Sequence, residues 1–457
     1  MTRIVSYRSK RNYYLRRQRQ RHFLRSPWAG GGVLVIFAAI ALLLANLDAT
    51  KTFYHHLLTT DFTVGFPGFN LTRSIEAWIN DGLMVVFFFV VGLEIKREII
   101  AGQLASIKHA ALPIAGAIGG MLVPAAIYMA FNAGTPTESG WGIPMATDIA
   151  FAIGILSLLG DRVPVSLKIF LTALAIVDDL GAILVIAIFY SSEINFVALA
   201  AAVAVFALLL VLNRNNVYKM RYYLVPSIVL WVLFLHSGIH ATIAGVLIAL
   251  TIPTTPRYSK KYFLYKSKYF REEFAHFDQP DAEVLANDHQ HHALNSMRYL
   301  AANAMSPSQR LEHALNPTVT FFIMPVFALA NAGVEIASAA DLNIFATGEG
   351  MGIFWGLVIG KPLGIVLTCW LTVKLGLAAL PEGANWHKLA SVACLGGIGF
   401  TMSIFIDNLA FNDPGSISLG KITILIASVT AALLGILIIN TVGKKDRIGP
   451  YSVPGTK

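Results

Sequence analysis

At 457 residues, 56% hydrophobic and 13% charged, with a mean hydropathy of +0.63, the chain has too little polar surface for a water-soluble globule of its size. A formal net charge of +9 invites a nucleic-acid reading, but the basic residues are spaced as membrane-orientation signals, which argues against it. The two cysteines, Cys369 and Cys394, lie in apolar stretches where a thiol packs as a small hydrophobe, so no disulfide framework is implied.

The chain opens on a basic tail, residues 1–27, with Arg3, Arg8, Lys10, Arg11, Arg16, Arg17, Arg19, Arg21 and Arg25 and no acid. A signal peptide is the competing reading, but Trp28 to Leu47 is long and lacks a small-residue cleavage site, so it reads as a retained first span. Apolar segments then recur near 28–47, 82–101, 111–131, 142–160, 164–190, 196–212, 222–236, 238–252, 317–333, 351–373, 389–406 and 420–442, about twelve spans in an all-α polytopic membrane protein. Alternate loops collect lysine and arginine: Lys96, Arg97 and Lys108, then Arg162 and Lys168, then Arg214, Lys219 and Arg221. The opposite loops carry Glu138, Glu193, Glu335 and Asp413 instead. The expected layout is a transmembrane domain over 28–443 in the bacterial inner membrane, a long cytoplasmic insert at about 254–310 and a cytoplasmic tail at 444–457, with both termini cytoplasmic. The basic tail is expected to hold the first span against anionic membrane lipid.

Between the first two spans, Phe62 to Thr72 has β-leaning residues around a Pro67-Gly68 turn, which predicts a small extracellular hairpin. Its exposed edges suit pairing with a second copy, so a homodimer is expected; an irregular loop is the alternative. Breakers sit in the middle of two spans, at Gly142-Ile143-Pro144 and at Gly396-Gly397-Ile398-Gly399. Unwound backbone at membrane depth is tolerated only where protein or water covers it, so these predict interrupted helices and inverted repeats around a midplane site. Interfacial helices or glycine packing faces are the alternative. In the insert, Asp288, His289, His291 and His292 fit no well-defined metal spacing and read as a solvated, partly helical segment.

Charge inside a span is costly and marks function or pairing. Asp148 follows Thr147 at the first break, Asp178 and Asp179 lie within Leu171 to Ile188, and Lys361 is the single basic residue expected deep in a span. Adjacent aspartates on a helix point about 100° apart and cannot share one partner alike. At an effective dielectric of about 20, two carboxylates roughly 5 Å apart repel by about 3 kcal/mol. Without a cation at least one holds a proton, and bound sodium reverses that preference. Competition of cation and proton for the same oxygens is the minimal chemistry of an antiporter, and Lys361 would neutralise one aspartate when no cation is present. A static ion pair with a solvated second acid is the bland alternative. Asp148 and Thr147 read equally as helix caps.

These residues belong to motifs that resemble the NhaA family of sodium/proton antiporters. They are Ala146-Thr147-Asp148-Ile149-Ala150-Phe151, Ala175-Ile176-Val177-Asp178-Asp179-Leu180-Gly181-Ala182, Ile359-Gly360-Lys361-Pro362-Leu363-Gly364, Val91-Gly92-Leu93-Glu94-Ile95-Lys96-Arg97-Glu98 and Gly397-Ile398-Gly399-Phe400-Thr401-Met402-Ser403, in a resemblance running from Trp28 to Ile439. It implies that Asp178 and Asp179 bind sodium or lithium and protons, that Lys361 pairs with Asp178, and that Thr147 and Asp148 lie where two interrupted helices cross. It also implies electrogenic alternating-access exchange, activation at alkaline pH, and a pH-response or funnel role for Asp81, Glu94, Arg97, Glu98, His240, Glu312 and His313. Ordinary loop and interface charges are the alternative reading of those seven. The chain departs from the family pattern in its basic tail, in the extended insert, and in Asn316, where a histidine is often expected. No cofactor and no nucleotide are expected, since no P-loop or hydrolase motif occurs. A sodium-coupled symporter would require a third solute, and a passive cation channel would pass sodium without counter-moving protons.

Overall fold

The computed structural model describes residues 27–66, 69–191, 193–277, 287–336 and 343–442. The basic tail and the tail after 443 lie outside them. Among the described residues, eight helices are long and apolar enough to cross a bilayer, and a ninth span is made by Trp386–Gly396 and Phe400–Ala410, which meet at a 46° bend. The expected segments near 222–236 and 238–252 form shorter apolar helices, Arg221–Leu235 and Thr242–Thr251. The one near 82–101 becomes helix Met84–Ala101, whose last turns carry Glu94, Lys96, Arg97 and Glu98. This is an all-α membrane protein.

The chain divides into two compact units. The larger comprises the described residues within 27–84, 98–190 and 320–442. Within it, helix Ile107–Asn132 packs against Lys361–Lys374, and Pro27–Asn46 packs against Ile149–Leu158. The first pair lies backbone to backbone because Gly119 and Gly364 face each other: a Cβ on either would run into the other's carbonyl oxygen. Small residues are what permit such approach between membrane helices. Gly364→Val is therefore expected to cost at least the roughly 1–3 kcal/mol typical of overpacking. Thermal unfolding in detergent measures this; an unchanged midpoint would show that the contact carries no weight.

The expected hairpin is present. Strands Asp61–Phe66 and Phe69–Ser74 pair antiparallel, from Asp61 opposite Ser74 to Phe66 opposite Phe69. Thr63 and Thr72 join their hydroxyls at 2.8 Å across the pair, a cross-strand contact that fixes register.

The smaller unit comprises residues 85–97 and 191–319. Its core is Leu93, Leu209, Leu230, Phe234, Ala244 and Ile248 with their neighbours. Gly245 lets Val85 and Phe89 reach the backbone of Thr242–Thr251, and Gly92 does the same for Val246 and Ala249. Lys96 Nζ then donates to the carbonyls of Leu250 and Ile252 at 2.6 and 2.5 Å, satisfying acceptors that a helix end leaves open. The insert contains two helices, Lys260–His276 and Asp288–Ala304, packed together. His289 stacks on Phe277 at 4.1 Å, and His292 Nδ1 lies 3.6 Å from Glu273 Oε1.

Candidate functional site

The site lies in the larger unit, where both predicted breaks are real. The first runs as a tight 3₁₀ stretch, Glu138–Met145, then extended backbone through Ala146 to Asp148, then helix Ile149–Leu158. The second separates helix Trp386–Gly396 from helix Phe400–Ala410. The breaks touch: Asp148 N donates to Ile398 O at 2.7 Å. Pro144 and the glycines at 396, 397 and 399 make the interruptions, because neither sustains an interior helical turn without cost.

Four half-helix ends therefore meet, and each is answered by a charge or a hydroxyl. Asp148 is fully buried and serves both N-termini. Its Oδ1 accepts from Phe151 N at 3.0 Å, and its Oδ2 accepts from Thr401 N at 3.2 Å and Thr401 Oγ1 at 2.5 Å. A carboxylate is favoured at the positive end of a helix dipole. The C-terminal carbonyls are met by donors: Lys361 Nζ donates to Met145 O, and Thr147 Oγ1 lies 2.9 Å from Gly396 O.

Asp178 and Asp179 project from helix Val165–Phe189, each 1% exposed. Lys361 Nζ sits 2.6 Å from Asp178 Oδ2 with both side chains shielded from solvent. Thr147 Oγ1 lies 2.7 Å from the same oxygen. Its single hydroxyl proton can serve Asp178 or Gly396 but not both at once. Asp178 Oδ1 accepts no hydrogen bond among the described residues. Asp179 also acts electrostatically on Lys361, so the ammonium is influenced by both carboxylates. Lys361 itself opens helix Lys361–Lys374 directly after a π-helical turn, Gly356–Gly360. Pro362 has no N–H to continue the regular ladder, and π turns of this kind concentrate at functional sites.

Among the described residues no group of three or more His, Cys, Asp or Glu could hold a metal ion. A cation reaching the pair would find two carboxylates, one hydroxyl and backbone carbonyls, an all-oxygen set suited to a hard cation.

The seven residues expected to respond to pH divide among separate settings. In the smaller unit, Arg97 pairs with Glu312, which is 2% exposed, and Asn316 Nδ2 donates to Glu94 Oε1 at 3.4 Å. His313 is exposed and His240 is half-buried. In the larger unit, Asp81 pairs with Arg73 at 2.8 Å, and Glu98 Oε2 accepts from Gln103 N at 2.9 Å at the end of helix Met84–Ala101.

Two features escape the sequence reading. Thr401 stands in the quoted glycine motif, yet its bonds to Asp148 depend on a fold contact 253 residues apart in sequence. Lys361 is also not the single buried lysine. Lys421, in helix Pro414–Val442, is 9% exposed, and Asp407 and Glu349 are buried as well. Their signal is a charge inside or at the edge of an apolar run, which the span boundaries obscured.

The family model described as Na+/H+ antiporter 1 matches residues 21–439. Among curated relatives, a Na(+)/H(+) antiporter NhaA of Oleidesulfovibrio alaskensis is 51% identical over 90% of this chain and 91% of its own length. That of Cytophaga hutchinsonii is 46% identical over 92% and 94%, and that of Escherichia coli O1:K1 is 43% identical over 90% and 95%.

Proposed function

The chain belongs to the Na+/H+ antiporter NhaA family and exchanges sodium for protons across a membrane, and we propose that Asp178 and Asp179 are where the two ions compete. The observation that carries this reading is the buried Lys361–Asp178 pair beside Asp179, with Asp178 Oδ1 open to a further partner. Protons neutralise the carboxylates in one half of the cycle. Sodium, or lithium, replaces them in the other, with Asp179 and Asp178 as charged ligands and Thr147 free to turn its hydroxyl oxygen toward the cation. When neither protons nor a cation are bound, Lys361 compensates Asp178, so the empty pair never stands as two bare charges in a low-dielectric interior. Asp148 fixes the two N-termini and holds the crossing in place.

Two carboxylates can release two protons while one monovalent cation replaces them, so the exchange is electrogenic. Each net charge moved is worth about 2.3 kcal/mol per 100 mV. Sealed vesicles carrying the protein are expected to show sodium-dependent proton movement whose rate changes when a potassium diffusion potential is imposed. Exchange indifferent to the potential would defeat the electrogenic assignment.

Our reading extends to the surroundings. Glu94, Arg97, Glu312 and Asn316 are proposed as the group through which alkaline pH raises activity, with Asp81, Glu98, His240 and His313 as further contributors. The termini are placed on the cytoplasmic side of the bacterial inner membrane, with the basic tail against anionic lipid. Homodimers are proposed to form through the hairpin, whose Phe62 and Val64 are 56% and 47% exposed and whose edges remain open to a further strand.

A further inference from the structure

The insert of the smaller unit rises from the end of its apolar helices. Ser308 N donates to Pro253 O at 3.1 Å, and Tyr258 N to Asn303 O at 3.1 Å, so the two ends of the insert are tied together just where helix Thr242–Thr251 stops. Asn213 Nδ2 reaches Thr251 O at the same level, which brings the basic stretch Arg214, Lys219 and Arg221 to this end of the unit. Helix Lys260–His276 begins seven residues past Pro253, so even a fully extended link would carry its first turn no more than about 25 Å away.

Charge is segregated along the insert. From 254 to 271 there are six basic residues and no acid, and every acid of 254–310 falls between Glu272 and Asp288. Lys261, Leu264, Tyr265, Lys268 and Tyr269 recur at the spacing that makes one stripe of a helix, and all five are exposed. Leu264, Tyr265 and Tyr269 are 58%, 70% and 53% exposed. The opposite side of the helix is occupied: Phe270 lines a cavity with Asn295 and Leu300 of Asp288–Ala304, against which the helix packs. The base is braced as well. The Tyr258 ring lies 4.8 Å from that of Tyr262 and 6.4 Å from that of Tyr299, and Arg257 Nη1 donates to Tyr299 OH at 3.0 Å.

A helix face meant for water alone gains nothing by interleaving large apolar side chains with its lysines. The same mixture suits the headgroup layer of a bilayer, where a tyrosine ring turns toward the acyl chains while its hydroxyl stays wet, and a lysine reaches a phosphate along its own apolar stem. The acid-free stretch is also the part of the insert nearest the apolar helices, and anionic headgroups attract basic segments in that position. The acids from Glu272 onward would be repelled by such a surface, which favours the far end of the insert pointing away from it.

We propose that the stripe from Lys261 to Tyr269 docks on the anionic lipid headgroups of the bilayer that carries the protein. Leu264, Tyr265 and Tyr269 enter the headgroup layer, and Lys261 and Lys268 meet phosphates. The contact anchors the base of the insert to the membrane surface and, through Ser308, the start of helix Pro307–Thr318. It does not depend on the exchange reading above.

Electron paramagnetic resonance of the full chain in nanodiscs holding one copy each tests the docking. Cys369 and Cys394 are buried, so a thiol-reactive nitroxide is directed to Tyr265→Cys, where its apolar ring takes the place of the tyrosine. In phosphatidylcholine mixed with phosphatidylglycerol, its collisions with oxygen relative to a water-soluble nickel chelate are expected to be several-fold more frequent than in phosphatidylcholine alone. Salt at about 1 M, where the Debye length is about 3 Å, should reverse most of that change. Lys261→Gln and Lys268→Gln should each lower the docked-to-free ratio about fivefold. A label equally open to the chelate in both lipids, or a lipid response unaltered when both lysines are replaced, would overturn the docking. So would the same response to free glycerophosphate in phosphatidylcholine discs, which would mean a soluble phosphate ligand. A label shielded only in discs that hold two copies would equally overturn it, in favour of a protein partner.

Discussion

Asp178→Asn and Asp179→Asn are each expected to reduce sodium-dependent proton movement in sealed vesicles to background while leaving folded protein. An amide neither releases a proton nor lends a charge to a cation, so each substitution removes one of the two competing ligands. The two should fail differently. Asp178→Asn places an amide against Lys361 and leaves that ammonium without its closest carboxylate, whereas Asp179→Asn keeps the 2.6 Å contact intact. In the wild type, the sodium concentration for half-maximal rate should rise as pH falls, by about tenfold per unit for each proton that must leave. Wild-type-like exchange in both variants would remove the pair from the mechanism.

Lys361→Met is expected to lower stability by about 3–5 kcal/mol, the usual cost of deleting one member of a buried ion pair. Asp178 would then be buried with only Thr147 to donate to it, and Met145 O would lose its ammonium donor. Combining Lys361→Met with Asp178→Asn should recover most of that loss, because no uncompensated charge remains. The part not recovered is the bond to Met145 O, about 1.5–3 kcal/mol for a hydrogen bond from a charged donor. Thermal unfolding of the three variants in detergent supplies the double-mutant cycle. A double variant no more stable than Lys361→Met alone would mean that the pair is not coupled.

Much of this arrangement was legible in the residues because charge in an apolar run has few explanations. Asp148, Asp178, Asp179 and Lys361 stand out against their neighbours, and Pro144 and the glycines at 396–399 announce the breaks. The Pro67-Gly68 signal likewise foretold the hairpin. What stayed hidden depends on contacts between distant segments. Nothing local to Thr401 says that it will cap an aspartate on another half-helix, and carbonyl partners such as Met145 O and Gly396 O have no side-chain signature. Lys421 and Asp407 were missed for a different reason: each lies near an estimated span boundary, where a charge looks ordinary. The smaller unit is less legible, since Glu94, Arg97 and Glu312 sit among other loop charges and only their convergence with Asn316 sets them apart.

Asp148 ends two helices with one carboxylate, and that has a mechanical meaning. If Ile149–Leu158 tilts, the oxygens that bind Thr401 move with it, so Phe400–Ala410 must follow or lose both of its contacts to Asp148. The backbone bond from Asp148 to Ile398 adds a second tie at the same point. The two half-helices are pinned like the blades of scissors at their rivet, and a displacement begun at either tip reaches the other through a joint one residue wide.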